Sequence, residues 1–120
     1  MYINSSFIHF ILYISVPGAI NNLTVANITS RSVQICWKEP CSPNGNITDY
    51  VVNVYLSDGT QRNTTETKEL CQVFEQLLPY KYYSFNVTAK TMVGEGVSQS
   101  IRVQTNTDGE FLYILKNICR

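Results

Sequence analysis

The sequence has little charge, little histidine and no long apolar run, and each shortage excludes a class of function. Only 15% of the 120 residues are charged, and nine Lys and Arg balance nine Asp and Glu. A chain without a basic excess lacks the electrostatic surface that nucleic-acid binding requires. No apolar run reaches the roughly 20 residues that a membrane-spanning helix needs. We therefore expect no nucleic-acid partner, and contact with a membrane only through a parent protein.

Motifs for catalysis and for metal or cofactor binding are also missing. The four cysteines form no Cys-x-x-Cys pair, and the single histidine, His9, lies in an apolar N-terminal segment. Zinc sites require nitrogen or sulfur ligands at short paired spacings. Gly94 and Gly96 are followed by neither a helical pattern nor a lysine, so they do not form a phosphate-binding loop. The sequence predicts no catalytic residue, no cofactor, no metal and no small-molecule substrate.

Motifs for asparagine-linked glycosylation are present in excess. Six Asn-x-Ser/Thr triplets occur, whereas the content of Asn, Ser and Thr would give about two by chance. One lies near the N-terminus and five are internal: Asn4, and then Asn22, Asn27, Asn46, Asn63 and Asn86. The alternative is an Asn- and Thr-rich surface that carries no glycan. The excess favours a secreted or cell-surface domain with glycans at the five internal asparagines.

Residues 1–16 and 108–120 are interpreted as flanks outside the domain. The apolar run 7–16 has about the length of a signal-peptide core. However, no Lys or Arg precedes this run, and no small-residue cleavage site follows it. We interpret the first flank as a weak signal peptide or a non-native segment. The C-terminal flank is not part of the domain, and both flanks fit a partial gene product.

Apolar and polar residues alternate between the flanks, in runs that recur every 8 to 12 residues or so, which is typical of an all-β sandwich. One run contains Val33, Ile35 and Trp37, and another covers 83–89. Residues 60–69 are polar and predict an exposed irregular segment or a short edge strand. No apolar period of about 3.6 residues persists for three turns, so no helix is predicted.

Several motifs within residues 17–107 together resemble the fibronectin type III family. They are Trp37 followed by Pro40 and Pro43-Asn44-Gly45, then Leu77-x-Pro79-x-x-x-Tyr83, and finally Gly94-x-Gly96. The resemblance implies a seven-stranded, immunoglobulin-like Greek-key sandwich over 17–107. Its core residues would include Trp37, Tyr50, Leu77 and Tyr83. The Tyr83 hydroxyl would bond to backbone near Leu77, and the two glycines would supply positive φ angles.

The resemblance also implies a function. Domains of this family occur in tandem in adhesion proteins and receptor ectodomains, including those of receptor-type tyrosine phosphatases. We expect a non-catalytic extracellular module that acts as a spacer and binds proteins or neighbouring domains. The alternative is a dedicated ligand-binding domain that uses loops 41–46 and 91–96, with Met92 and Val93 exposed at a loop tip. Ordinary loop packing is the commoner explanation for two such residues. A further alternative is a part of a receptor-type phosphatase whose enzyme domain is absent here.

The family topology implies a disulfide. Because Trp37 points inward, Cys36 faces outward from the same strand. The second and fifth strands of the family run antiparallel, which brings the end of one beside the start of the other. We predict a bond from Cys41 to Cys71, with Cys36 to Cys71 as a more strained alternative and Cys119 unpaired. The competing hypothesis is that all four are free thiols in a reducing compartment.

Overall fold

Alternation gives each strand one apolar face, and the structure packs two sheets together over those faces. It is a computed structural model that describes residues 16–108. The strands are β1 (Asn21–Ile28), β2 (Val33–Lys38), β3 (Asp49–Leu56), β4 (Gln61–Thr67), β5 (Cys71–Phe74), β6 (Tyr82–Lys90) and β7 (Glu95–Gln104). One sheet has the order β1-β2-β5 and the other β4-β3-β6-β7. The predicted all-β, seven-stranded sandwich is confirmed, and no helix occurs in the described residues.

The core lies between the two sheets and is built from the inward positions of β2, β3 and β6. Trp37, Tyr50, Leu77 and Tyr83 are all buried there. The Trp37 and Tyr50 rings meet edge to face, with their centroids 5.6 Å apart. Burial of side chains this large is the main stabilising contribution that a domain of this size has available.

The polar stretch 60–69 contains a regular edge strand. β4 pairs with β3 over most of its length, and its side chains are mostly exposed. The other sheet ends in the short β5, where Phe74 is buried and Gln72 is half-buried opposite Ile35. A polar side chain is tolerated at this inward position because the edge of the sheet is open to solvent. The side-chain amide of Gln72 donates a hydrogen bond to the backbone carbonyl of Val73.

The loops divide into two groups at opposite ends of the sandwich. The upper end comprises residues 16–20, 39–48, 68–70 and 91–94, and the lower end comprises 29–32, 57–60, 75–81 and 105–108. The chain enters the domain at the upper end and leaves it at the lower end. This polarity follows from the odd number of strands, since each strand crosses the domain once.

Hydrogen bonds at the lower end connect segments that are distant in the sequence. The Tyr83 hydroxyl accepts a bond from the Leu78 amide at 2.9 Å. Thr105, which is 2% exposed, donates through its hydroxyl to the Leu78 carbonyl and accepts from the Lys81 amide. Arg31 forms an ion pair with Asp108 at 3.1 Å. The departing chain is therefore fixed to the 75–81 loop.

The predictions for the two flanks fall largely on residues 1–15 and 109–120, which are outside the described range. This applies to the signal-peptide interpretation, Asn4, His9 and Cys119. Within 16–108, no helix is long and apolar enough to cross a membrane.

Candidate functional site

A cleft at the upper end lies between the 39–48 loop and the 91–94 loop. Its volume is about 270 Å³. Both loops contribute to its lining, which consists of Asn44, Gly45, Asn46, Thr48, Thr91, Met92 and Val93. The structure therefore brings together parts of the two segments, 41–46 and 91–96, that the sequence suggests as ligand loops.

The lining of this cleft is uncharged. Met92 and Val93 supply its apolar part, whereas amides and hydroxyls supply its polar part. Such a surface can cover apolar groups and form neutral hydrogen bonds, but its side chains cannot perform acid–base chemistry. Among residues 16–108, no three His, Cys, Asp or Glu side chains are grouped closely enough to hold a metal ion.

The 91–94 loop is a closed turn that projects two apolar side chains. The backbones of Thr91 and Gly94 bond to each other in both directions, at 3.0 and 3.1 Å. The Thr91 hydroxyl also accepts from the Val93 amide at 3.2 Å. Because the turn is closed at its base, Met92 and Val93 stand at its tip, where they are 91% and 55% exposed. Gly94 has a φ of 151°, which a residue with a side chain rarely adopts.

The incoming chain holds the 39–48 loop in place. The Asn44 side chain donates to the Val16 carbonyl at 3.0 Å, and the Gly18 amide donates to the Ser42 carbonyl at 2.9 Å. Asn44 itself has a left-handed backbone with a φ of 56°, which asparagine tolerates better than most residues. The cleft is therefore anchored on the segment by which the chain enters the domain.

The role of Gly96 requires a correction, since positive φ is found at Gly94 but not at Gly96. A Cβ on Gly96 would stand only 2.0 Å from the Pro17 carbonyl oxygen. Glycine is needed here because the incoming chain passes directly against the start of β7. The adjacent Val97 amide donates to the same carbonyl at 3.4 Å.

A second cavity, of about 390 Å³, adjoins the upper end and is more polar. Glu39, Ile47, Thr48, Tyr50 and Lys68 line it. Burial raises the pKa of the Tyr50 hydroxyl, and the nearby negative charge of Glu39 raises this pKa further. The Tyr50 oxygen has no hydrogen-bond partner among the described residues. These features describe a desolvated core tyrosine at the rim of the sandwich.

The five internal glycosylation motifs differ in accessibility. Asn22, Asn27, Asn46 and Asn63 are exposed. Asn86 lies on the outer face of β6 and is only half-exposed, and its side-chain oxygen is buried without a hydrogen-bond partner. The four exposed asparagines stay predicted glycosylation sites, as does Asn86, although its surroundings are the most crowded.

The structure corrects the predicted cysteine pairing. Cys71 is bonded to Cys36 and not to Cys41. Cys36 and Cys71 are direct partners in the β2–β5 register, and their Cα atoms are 4.1 Å apart. The Trp37 amide donates to the Leu70 carbonyl, so β5 begins opposite Cys36. The chain has left β2 before Cys41, which therefore lies beyond the paired part of the two strands.

Cys41 has a different environment from the bonded pair. It is exposed, forms no disulfide within residues 16–108, and accepts a hydrogen bond at its sulfur from the Asn21 side chain at 3.0 Å. The predicted outward orientation of Cys36 holds, and this orientation is what makes the cross-strand bond possible.

Sequence reasoning did not reveal the contacts of three residues that shape the ends of the domain: Asn44, Gly96 and Thr105. Each acts through a partner that is far away in the chain. Asn44 and Gly96 contact the incoming segment at Val16 and Pro17, respectively. The Pro43-Asn44-Gly45 motif contributed to the family resemblance, but no local pattern revealed the partner of Asn44.

Comparisons with known proteins agree on one family. The family model described as fibronectin type III domain matches residues 17–106. Human phosphatidylinositol phosphatase PTPRQ is 36% identical over 92 residues, which are 76% of this chain and 4% of that protein. The cell adhesion molecule Dscam2 of Drosophila melanogaster is 35% identical over 98 residues, 78% of this chain and 5% of that protein. The chain thus spans a small fraction of these curated relatives.

Solved structures support the same fold. The extracellular region of rat CD45 superposes with a TM-score of 0.71 at 20% identity, covering 76% of this chain and 51% of that chain. A human FNIII domain solved in solution superposes with a TM-score of 0.70 at 24% identity, covering 78% of this chain and 82% of that chain.

Proposed function

The chain belongs to the fibronectin type III family, and on this premise we propose that it is a non-catalytic extracellular module of a cell-surface receptor or adhesion protein. It connects neighbouring domains as a spacer and takes part in protein–protein contacts. Domains of this family are generally non-catalytic, and the relatives include receptors and adhesion proteins. Partners are proteins or adjoining domains of the same kind.

The opposite placement of the two chain ends of the domain carries the spacer proposal. The chain enters beside the 39–48 loop and leaves beside the 75–81 loop. Both ends are fixed to the sandwich, through the Asn44 bond to Val16 above and the Arg31–Asp108 ion pair below. A module with this geometry separates its neighbours by the full length of its strands.

Two further observations support an extracellular location. Disulfides persist in oxidising compartments and are rare in the cytosol. The Cys36–Cys71 bond therefore suits a secreted domain. Four of the five internal glycosylation motifs have an exposed asparagine, so glycans can be carried without entering the core.

Secretion from animal cells tests the extracellular proposal. We expect occupied glycans at two or more of the five internal sites, seen as a fall in intact mass after glycosidase treatment. Replacing Asn106, which is exposed but outside any Asn-x-Ser/Thr triplet, by Gln is the matched control and should leave the glycan mass unchanged. Secreted protein whose mass does not change with the glycosidase would contradict the proposal.

A second candidate function is a dedicated ligand site at the cleft between the 39–48 and 91–94 loops. The exposure of Met92 and Val93 beside an uncharged cleft favours it. Adhesion of cells to a surface coated with the unglycosylated domain is a suitable measurement. The double change Met92→Ala and Val93→Ala should reduce adhesion several-fold, whereas Val73→Ala, an exposed valine on β5, should not. Equal adhesion by the wild type, the double variant and Val73→Ala would rule out the ligand site and leave only the spacer function.

A third proposal is that the chain is a part of a receptor-type phosphatase. One relative carries the printed name of a phosphatase, yet this chain covers only 4% of it. The full transcript would decide this point by showing which domains follow.

A further inference from the structure

One glycosylation motif is built into the cleft at the upper end. Asn46 and Thr48, the first and third residues of the triplet Asn46-Ile47-Thr48, both line the cleft. The apolar side chains of Met92 and Val93 line it as well. The residue that would carry a glycan and the most exposed apolar tip of the domain therefore line one cleft.

We propose that the cleft holds the domain's own glycan: the first N-acetylglucosamine attached to Asn46 covers Met92 and Val93. The inference rests on the proposed extracellular location. The attachment uses a lipid-linked oligosaccharide diphosphate as donor. A bond forms between Asn46 Nδ2 and C1 of the donor sugar, and the bond from C1 to the diphosphate oxygen breaks. The departing lipid diphosphate keeps the electron pair, and one Nδ2 proton is released.

The size of the cleft matches this occupant. Pockets for drug-sized ligands measure about 300–1,000 Å³. At about 270 Å³ the cleft is slightly smaller and suits one sugar ring. Since the cleft is open at the surface, later sugars of the glycan can extend into solvent.

The chemistry of the lining matches as well. A sugar ring presents carbon-bound hydrogens on its faces, which pack on apolar side chains, and hydroxyl and amide groups at its edge. Met92 and Val93 offer the apolar contact, and Asn44 and Thr91 are uncharged hydrogen-bonding residues beside it. No charged side chain of the lining requires an ionic partner.

The exposed motif at Asn63 lacks this arrangement. Asn63 lies on the edge strand β4, whose residues are polar throughout and where no apolar tip is exposed. A glycan at Asn63 therefore has no apolar surface of β4 to cover. Asn63 serves as the matched control for Asn46.

The proposal has a functional consequence for the loop tip. When Asn46 carries its glycan, Met92 and Val93 are shielded, so the domain acts as a spacer at this end. When Asn46 is unmodified, the tip is available to a protein ligand. Glycosylation at a single residue would thus decide between the two functions considered above.

Oxidation of Met92 by hydrogen peroxide measures the shielding, because methionine oxidation depends on access to the sulfur. The test compares secreted wild-type domain with Asn46→Gln and Asn63→Gln, all produced in the same animal cells. Cleavage after Lys and Arg isolates the relevant sites, since Asn46 is the one glycosylation motif in residues 39–62 and Met92 lies in 91–102. Trimming the glycans to a single N-acetylglucosamine with an endoglycosidase provides a second measurement.

We expect an occupied Asn46 and a Met92 oxidation rate several-fold lower in wild type and Asn63→Gln than in Asn46→Gln. The protection should survive trimming to one sugar. Occupancy of other motifs with an unmodified Asn46, or equal oxidation rates in the three proteins, would overturn the inference alone. Secreted protein without any glycan would overturn both the inference and the proposed location.

Discussion

The two ends of this domain are organised in contrasting ways. At the lower end, side chains and backbone from distant segments are joined by partly buried hydrogen bonds, with the Tyr83 and Thr105 hydroxyls at the centre. At the upper end, the 91–94 turn bonds mainly to itself and exposes Met92 and Val93.

This difference implies that the loops at the two ends contribute unequally to stability. A buried hydroxyl with its partners in place stabilises the fold and cannot be moved without leaving polar groups unsatisfied. An exposed turn can change its side chains with little effect on the core. The hydroxyl bonds of the lower end therefore stabilise the fold, whereas the exposed 91–94 turn at the upper end contributes little to stability.

The largest expected effect on stability comes from the Cys36–Cys71 disulfide, which lies near the upper end. Replacing Cys36 and Cys71 together by Ala should lower the free energy of unfolding by about 3–4 kcal/mol, because the bond closes a loop of 35 residues in the unfolded chain. Urea denaturation measures this change.

Cys41→Ala is the matched control for the disulfide and should leave the unfolding midpoint almost unchanged. Peptide mapping without reduction should recover residues 36 and 71 in one linked peptide pair. Recovery of Cys41 linked to Cys71 would refute the β2–β5 register on which the comparison of the two ends rests.

A smaller effect is expected from the lower end. Tyr83→Phe removes the hydroxyl that accepts from the Leu78 amide and leaves that amide without its partner. We expect a loss of about 1–3 kcal/mol in the free energy of unfolding. Tyr82→Phe, which alters the exposed neighbour, should cost far less. Equal losses in the two variants would mean that the lower end is not held by this bond.

The smallest effect concerns Tyr50, a core residue near the upper end whose hydroxyl is buried without a partner. Because its pKa is raised in the folded state, folding favours the protonated form. The resulting stability is present below pH 10 and is lost as the pH rises through the raised pKa. Tyr50→Phe should change stability by less than about 1 kcal/mol at neutral pH. As the pH rises further, the stability of Tyr50→Phe should increase relative to that of the wild type.

Thermal unfolding between pH 8 and 11 tests the Tyr50 prediction, with Tyr80→Phe at the lower end as the control for loss of a more exposed phenol. Parallel curves for wild type and Tyr50→Phe over the whole range would contradict it.

Local sequence patterns predicted the strands and the core of this fold, but few of the contacts at its two ends. Alternation around Trp37 and Tyr83 reports which face of each strand is buried, so the strands and the core could be inferred. The choice between Cys41 and Cys36 as the partner of Cys71 could not be inferred, because it depends on the register between β2 and β5, which pairs Cys36 with Cys71. Gly96 was misread for the same reason, since its partner Pro17 lies at the other end of the sequence.

The cleft shows the same limit. Sequence reasoning placed the 41–46 and 91–96 loops at one end of the sandwich, which the strand order makes necessary. It did not show that Asn46 and Met92 line one cleft, because that depends on how the two loops pack against each other.

Hydrogen exchange of individual backbone amides tests the contrast between the two ends most directly. The amides of Leu78, Lys81 and Thr105 at the lower end should exchange only when the whole domain unfolds. The amides of Met92 and Val93 should exchange at least about 100-fold faster through local opening. Equal protection at the two ends, or faster exchange at Leu78 and Thr105 than at Val93, would contradict the account.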